Sequence, residues 1–313
     1  MANKNIVVGL ALGSGAARGW AHLGVIMALR EMGVQPQVIG GCSIGSLVGA
    51  AYACQRVDEL TEWALSLSSW QVFNLLDISL NRGGLLTGEK VFNAAEKYIG
   101  ASNIEQLKIP FGCVATGLES GKEIWLQSGK VRDAVRASCA MPGLMAPYQL
   151  NGQWLVDGAV VNPVPVSLVR AMGADVVIAV NLNSDKSRLN LLDGDIDDSK
   201  HNDGNNQAFW RLLGGGKDFL NSMLANLKQQ SHRSPGMIGV MSTSINIMQE
   251  RLTRTRMAGD PPDILLSPKL GNISTMDFHR AEEAIAEGKR VTELMRPQIE
   301  EELFLSKTAQ KRQ

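Results

Sequence analysis

Residues 38–55, VIGGCSIGSLVGAAYACQ, pass from an apolar run into a helix of small residues through one tight turn. Residues 38–40 read as a short buried strand and residues 44–55 as a helix. Between them stands Gly41-Cys42-Ser43-Ile44-Gly45, a G-x-S-x-G pattern in strand–turn–helix context. Glycines at both ends let the chain turn sharply and let the helix come close, so the Ser43 hydroxyl is held clear of the backbone. At a helix N-terminus, developing negative charge is stabilised by the free N–H groups. The pattern marks Ser43 as a candidate nucleophile. A capping serine in a tight turn is the plainer alternative.

One βα unit upstream, the apolar residues 6–12 end in Gly13-Ser14-Gly15-Ala16-Ala17-Arg18-Gly19, and a helix over about 20–32 follows. Strand, glycine loop and helix together make an anion site, used either for a dinucleotide pyrophosphate or as an oxyanion hole. The third glycine of a dinucleotide fingerprint would fall at position 18, which is Arg18. The next strand also runs into the Ser43 turn rather than ending on an acidic residue that could hold a ribose. The loop therefore reads as an oxyanion hole placed beside a serine.

An activated serine needs a proton acceptor within hydrogen-bond reach. Of the four histidines, His22 lies in the first turn of the helix after the glycine loop, where packing or capping is its ordinary role. His201 and His232 fall in polar stretches. His279 follows Asp277 near a helix start; it lies after Ser43 and Asp157 in chain order, so a full triad stays open. Asp157 ends the apolar run Trp154-Leu155-Val156 and is followed by Gly158-Ala159, small residues that let another backbone approach. The Asp-Gly pair alone says little, because it recurs at Asp193-Gly194 and Asp203-Gly204 in turn-like contexts.

Further along, strands are expected at 111–116, 123–126, 154–156, 175–181 and 264–266, and helices at 130–138, 164–172, 276–294 and 297–305. Alternating strands and helices give an α/β fold: a mostly parallel sheet with helices on both faces, as one domain over residues 1–305. Residues 183–207 are rich in Asp, Asn, Ser and Gly and read as a flexible insertion, and 306–313 as a polar tail. Trp63, Leu67, Trp70, Phe73, Leu75 and Leu76, or the amphipathic stretch 209–227, are candidates for the wall or lid of an apolar groove.

The bulk composition narrows the function classes. Of 313 residues, 44% are hydrophobic and 20% charged, an ordinary globular mixture with ample core material. Lys plus Arg and Asp plus Glu are 31 each, so no net field draws the chain to nucleic acid, and none is expected as a partner. Cys42, Cys54, Cys113 and Cys139 form no C-x-x-C pair and no metal-ligand spacing; they read as reduced, buried thiols of a cytoplasmic protein. Lys4, residues 6–12 and Ala16-Ala17 have the outline of a short signal peptide. That apolar run is at the lower end of the length range and leads straight into the glycine loop, so it reads as a strand. No run approaches the ~18 apolar residues of a membrane span.

The ordered set G-S-G-A-A-R-G, G-C-S-I-G and D-G-A resembles the patatin-like phospholipases, and within them the bacterial members of the neuropathy-target-esterase branch. The likeness extends to A-S-C-A-M-P-G-L-M-A-P at 137–147, N-P-V-P at 162–165 and R-M-A-G-D-P-P-D-I-L at 256–265. The resemblance implies a patatin-like fold and a Ser43–Asp157 dyad without catalytic histidine. It implies an oxyanion hole from the backbone around Gly15 and Ala16, with Arg18 fixing the loop, and hydrolysis of carboxylic esters of phospholipids or lysophospholipids. The family loop is usually an unbroken glycine run; here Ser14 and Ala16 replace two of them, though alanine still supplies an N–H.

The expected chemistry is acyl transfer to Ser43 and then to water, with Asp157 as base and no metal or organic cofactor. An acyl-lipid or ester substrate would be met at the inner membrane surface by peripheral contact. An acyltransferase using the same elbow, or a regulatory scaffold of low turnover, are the rival readings. Asp157 should carry a raised pKa, from desolvation beside Leu155-Val156 and from a hydrogen bond with Ser43 that favours the protonated form.

Overall fold

The computed structural model describes residues 6–75, 77, 84–100, 102–184 and 237–310. Strand β1 (Val8–Leu12) leads through a 3-10 turn, Ala16–Trp20, into α1 (Ala21–Glu31). Strand β2 (Val38–Cys42) and α2 (Ile44–Ala53) are separated by Ser43 alone. Next come α3 (Val57–Ser66), α4 (Ser69–Leu75), β3 (Gly84–Leu86) and α5 (Glu89–Ile99). The hairpin of β4 (Phe111–Gly117) and β5 (Glu123–Leu126) is followed by α6 (Val131–Ser138), then β6 (Gly143–Met145), β7 (Tyr148–Leu150) and β8 (Gln153–Asp157). A second 3-10 turn, Gly158–Val160, leads to α7 (Val166–Ala171) and β9 (Val176–Val180). The chain ends with α8 (Met237–Gly259), β10 (Ile264–Leu266), a 3-10 turn Phe278–Arg280, α9 (Ala281–Leu294) and α10 (Arg296–Gln310).

The chain divides into two compact units. Met1–Ser187 with Met248–Gln313 form one, which holds every described strand; Arg188–Ile247 form the other, of which the first turns of α8 are the described part. Most of the expected flexible insertion, the stretch 209–227, and His201 and His232 lie outside the described residues.

Among the described residues the main sheet has eight strands, in the order β10-β9-β1-β2-β4-β8-β7, with β5 also paired to β4. The pairs from β10 through β4 are parallel, whereas β5, β8 and β7 form an antiparallel wing. Short runs between turns do not reveal strand direction, so this wing is a feature that hydrophobic patterning leaves undetermined. Strand β5 covers one edge of β4 from Cys113 to Thr116. The other edge is shared. Strand β2 pairs with Phe111–Val114 and β8 with 115–117, running in opposite directions. The C-terminal ends of β2 and β8 therefore meet head to head, which brings position 43 to position 157.

Side-chain alternation along the strands builds two core layers. Leu10, Leu12, Ile39, Ile178 and Val180 enter one large cluster with residues of α1, α2, α3, α5 and α6. Ala11, Val38, Val177 and Ala179 face the opposite way, onto Val164 and, in α7, Val166 and Val169. Helices thus cover both faces of the sheet. No helix among the described residues is long and apolar enough to cross a membrane.

Candidate active site

Ser43 occupies the single residue between β2 and α2, with φ 55° and ψ −127°. A non-glycine residue rarely adopts a positive φ, which costs on the order of 1–3 kcal/mol and persists only where the surroundings enforce it. Three contacts enforce it here. The Ser43 N–H donates to Ser138 Oγ at 3.0 Å, and the Ser43 carbonyl accepts from Ser46 N–H at 2.8 Å and from Ser46 Oγ at 2.6 Å. Glycines allow the close packing around the turn. A Cβ at Gly41 would lie 2.5 Å from Ser46 Cα, and one at Gly45 would lie 2.2 Å from the Leu12 carbonyl oxygen. The first turn of α2 thereby rests directly on the end of β1 and the glycine loop. Ile44 completes the fit, lying within 2.2 Å of where a side chain at Gly19 would begin.

We predict that Gly45→Ala destabilises the protein by about 1–3 kcal/mol, the usual range for overpacking, because backbone rather than a flexible side chain must give way. The same displacement moves Ser43 relative to the loop. Labelling of Ser43 by a fluorophosphonate should slow about tenfold in protein that still melts cooperatively. Thermal melting and labelling rates on the same samples check this.

Asp157 is the last residue of β8 and is 1% exposed. Its Oδ2 accepts from Ser43 Oγ at 2.6 Å and its Oδ1 from Ala159 N–H at 2.8 Å. Its own backbone is fixed by the N–H to Ala140 O at 2.9 Å and by Thr116 Oγ1 donating to its carbonyl at 2.8 Å. Gly158 is required by contact, since a Cβ there would sit 2.2 Å from Val114 O. Burial raises the Asp157 pKa to about 6, against the two hydrogen bonds, which lower it. The expected direction is therefore found, but one expected cause is corrected. A hydroxyl that donates to the carboxylate stabilises the charged form, so the Ser43 bond opposes the shift, and desolvation alone drives it.

In the glycine loop, Gly13 N–H donates to Val180 O, Ser14 N–H to Pro163 O, Ala17 N–H to Thr275 O and Arg18 N–H to Gly15 O. For the N–H groups of Gly15 and Ala16 no backbone acceptor is found among the described residues. Ala16 carries φ 49°, in the left-handed region that favours glycine. Arg18 donates from Nε to Ile273 O at 2.9 Å and from Nη1 to Asn183 Oδ1 at 3.2 Å, while Asn183 Nδ2 donates to Ser14 O at 3.2 Å. Trp20 Nε1 donates to Phe278 O at 3.0 Å. Residues 273–278 thus back the loop along its length, and nothing in the sequence near residue 13 announces them.

Fully buried His22 takes the ordinary role. Its Nε2 lies 2.8 Å from Gly13 O, and burial lowers its pKa to about 4, so the ring is neutral and Nε2 is the donor. His279 lies in the 3-10 turn Phe278–Arg280 and bonds neither Ser43 nor Asp157. The cysteine expectation holds in part. All four are free and Cys42 and Cys113 are buried, but Cys54 and Cys139 are only half-buried. Cys42 Sγ stands 4.0 Å from Asp157 Oδ1, and Cys139 Sγ 3.7 Å from Ser46 Oγ, so thiols line the back of the dyad. Burial pushes the Cys139 thiol up to about 12, which keeps it unreactive.

The apolar residues expected to form a groove are divided. Trp63 and buried Leu67 pack into the core, Trp63 stacking on Tyr98 at 5.3 Å and meeting Trp20 edge-on at 6.1 Å. Trp70 is 57% exposed and stacks on Phe73 at 5.9 Å; Leu76 lies outside the described residues. Ser138, Ser46 and Thr116, which hold the two central residues, were not singled out from the sequence. Ser138 lies in the A-S-C-A-M-P stretch, whose recurrence in the resemblance was its one signal.

The model of the patatin-like phospholipase family matches residues 10–170, from β1 to α7. An NTE family protein of Mycobacterium tuberculosis is 35% identical, over 90% of this chain and 89% of its own. Lysophospholipase NTE1 of Saccharomyces cerevisiae is 29% identical over 88% of this chain, which spans only 16% of that much longer protein. Among solved structures, VipD from Legionella pneumophila aligns with a TM-score of 0.45 at 12% identity, over 93% of this chain and 66% of that one. The family match spans the glycine loop, the Ser43 turn and the Asp157 strand end, and the chain belongs to the patatin-like phospholipase family.

Proposed function

We propose that this chain is a serine carboxylic-ester hydrolase of acyl lipids, with residues 1–305 as one patatin-like domain and Ser43 and Asp157 as its dyad. One observation carries the reading: the Ser43 hydroxyl donates at 2.6 Å to a buried carboxylate whose pKa is raised to about 6. A base near the working pH and in contact with the hydroxyl is what general-base activation of serine needs.

In the proposed reaction Ser43 Oγ attacks the acyl carbonyl as its proton passes to Asp157 Oδ2. The carbonyl oxygen becomes an oxyanion, held by the N–H groups of Gly15 and Ala16 and by the field at the start of α2. Collapse of the tetrahedral intermediate expels the alcohol, which takes the proton from Asp157. Water then attacks the acyl-serine, again with Asp157 as base, and releases a fatty acid. Arg18, through Ile273 and Asn183, keeps the loop in place for both steps. No metal or organic cofactor enters these steps. The substrate is a lipid ester, most simply a lysophospholipid as named for the fungal relatives, met at a membrane surface.

Two measurements test the reading. Purified protein given lysophosphatidylcholine should release free fatty acid, and added alcohol acceptors should leave most of the acyl product as acid. Acyl product found wholly on the acceptor would make the chain a transferase. The base must be ionised to act, so kcat/KM should fall as pH drops through about 6. His22 stays neutral down to about 4 and cannot produce that limb. The limb should survive replacement of His201, His232 and His279 together; its disappearance would move the base to a histidine.

A further inference from the structure

Residues 158–163 join the two halves of the site. The segment starts at Asp157, turns back on itself with Val161 N–H at 3.1 Å and Asn162 N–H at 2.8 Å from Gly158 O, and ends where Pro163 O accepts the Ser14 N–H at 2.9 Å. A shift in this segment would therefore disturb the carboxylate and the glycine loop at once. Two side chains from distant parts of the chain grip it. Arg256, on α8, donates from Nε to Val161 O at 2.7 Å and pairs through Nη2 with Glu123 Oε2. Glu123, on β5, accepts at Oε1 from Asn162 Nδ2 at 2.8 Å and from Trp125 Nε1 at 2.6 Å. Asn162 is 1% exposed and also donates to Ser167 Oγ at 3.2 Å.

Glu123 is well placed for this. It pairs across the sheet with Thr116, and Thr116 Oγ1 holds the Asp157 carbonyl at 2.8 Å. The backbone of Glu123 is thus tied to β4, while its carboxylate holds Asn162 in the turn and Arg256 on α8. Its partner Arg256 opens the stretch R-M-A-G-D-P-P-D-I-L. The rest of that stretch has separate work. Asp260, Pro261 and Asp263 bind Arg170 at 2.8 to 3.2 Å, and Ile264–Leu266 is β10 itself. Within the stretch, Arg256 is the residue that hydrogen-bonds segment 158–163, at Val161 O.

We propose that Arg256 and Glu123 act as a coupled pair of positioning residues, holding residues 158–163 so that Asp157 and the Gly15–Ala16 N–H groups stay in register with Ser43. The pair touches no reacting atom. Its contribution is geometric, and it also keeps water from the Asp157 carboxylate, whose described neighbours are Ser43, Ala159 and the thiols of Cys42 and Cys139 rather than any charge.

The inference rests on the dyad reading and is tested separately from it. Wild type, Arg256→Met, Glu123→Gln and the double variant are compared in the full-length protein for ester hydrolysis, for active-site content by fluorophosphonate titration, and for melting. Each single variant should lose about tenfold or more in kcat per titrated site, with KM within about twofold. The double variant should be no worse than the poorer single, because one clamp is broken in all three. Looser packing admits water to Asp157, so the acid limb of kcat should move down from about 6 toward ordinary aspartate values. Glu123→Gln keeps the size of the side chain and an acceptor for Asn162, so it serves if Arg256→Met does not fold. Wild-type kcat and an unmoved limb in folded variants would overturn the pairing. So would additive losses, or a loss confined to KM. Failure of wild type itself to label or hydrolyse would instead strike the dyad reading and leave the clamp as a packing feature.

Discussion

Ser43→Ala is expected to abolish fluorophosphonate labelling and to lower ester hydrolysis by about 10⁴-fold or more, because among the described residues no second hydroxyl hydrogen-bonds the Asp157 carboxylate. The nearest candidates are thiols, and burial raises both Cys42 and Cys139, so neither supplies a thiolate at neutral pH. Labelling and hydrolysis that persist in Ser43→Ala would sink the assignment. A companion variant separates chemistry from strain. Ser43→Ala keeps a side chain at φ 55°, whereas Ser43→Gly removes the Cβ that makes this conformation unfavourable. Both should be inactive, but the glycine variant should be the more stable of the two by about 1 kcal/mol. Equal melting temperatures would mean that the turn stores little strain.

What the sequence revealed of this site depended on the range of the interactions. The elbow was legible because everything that makes it lies within Val38–Cys42 and the next few residues: an apolar run, two glycines and a serine before a small-residue helix. Asp157 was legible more weakly, as an acid at the end of an apolar strand, because its meaning comes from β2 and β8 sharing one edge of β4. No local pattern encodes that head-to-head junction. The two contributions to the Asp157 pKa were likewise readable only in part. Burial beside Leu155 and Val156 could be foreseen, but the direction of the Ser43 bond depends on which atom donates. The supports came from far away in the chain. Ser138 is 95 residues from Ser43, Ile273 is 255 from Arg18 and Arg256 is 133 from Glu123. Such pairs leave no periodicity or spacing to detect. Some short elements, such as β3, β6 and β7, were also missed, since three-residue strands carry almost no alternation.

The same burial that fits Asp157 for catalysis works against folding, and this sets up the second large effect. Asp157→Asn should reduce hydrolysis by about 10³-fold or more, because an amide cannot accept the serine proton. It should also stabilise the protein at neutral pH. In the fold the carboxyl holds its proton up to about 6, against an ordinary aspartate value of 3.8. Between those values the folded state binds a proton that the unfolded state has lost, so stability falls as pH rises through the window. Above pH 6 the full penalty is present, on the order of 3 kcal/mol for a shift of this size. Asparagine has the same shape and no charge to desolvate. It can accept from Ala159 N–H and donate to Ser43 Oγ, so the variant should melt several degrees above wild type at pH 8 and close to it at pH 4. His22 acts with the opposite sign. Its folded pKa is about 4 against an ordinary histidine value of 6.5, so its contribution is whole above 6.5 and is lost as pH falls toward 4. In wild type the two groups offset one another across pH 4–6. In Asp157→Asn only the histidine remains, and the melting temperature should decline more steeply on acidification than in wild type. Melting curves of both proteins from pH 4 to 8 decide the matter. A variant that is no more stable than wild type at pH 8 would show that the buried carboxylate carries no penalty, and would remove the physical ground for treating Asp157 as a base tuned by its burial.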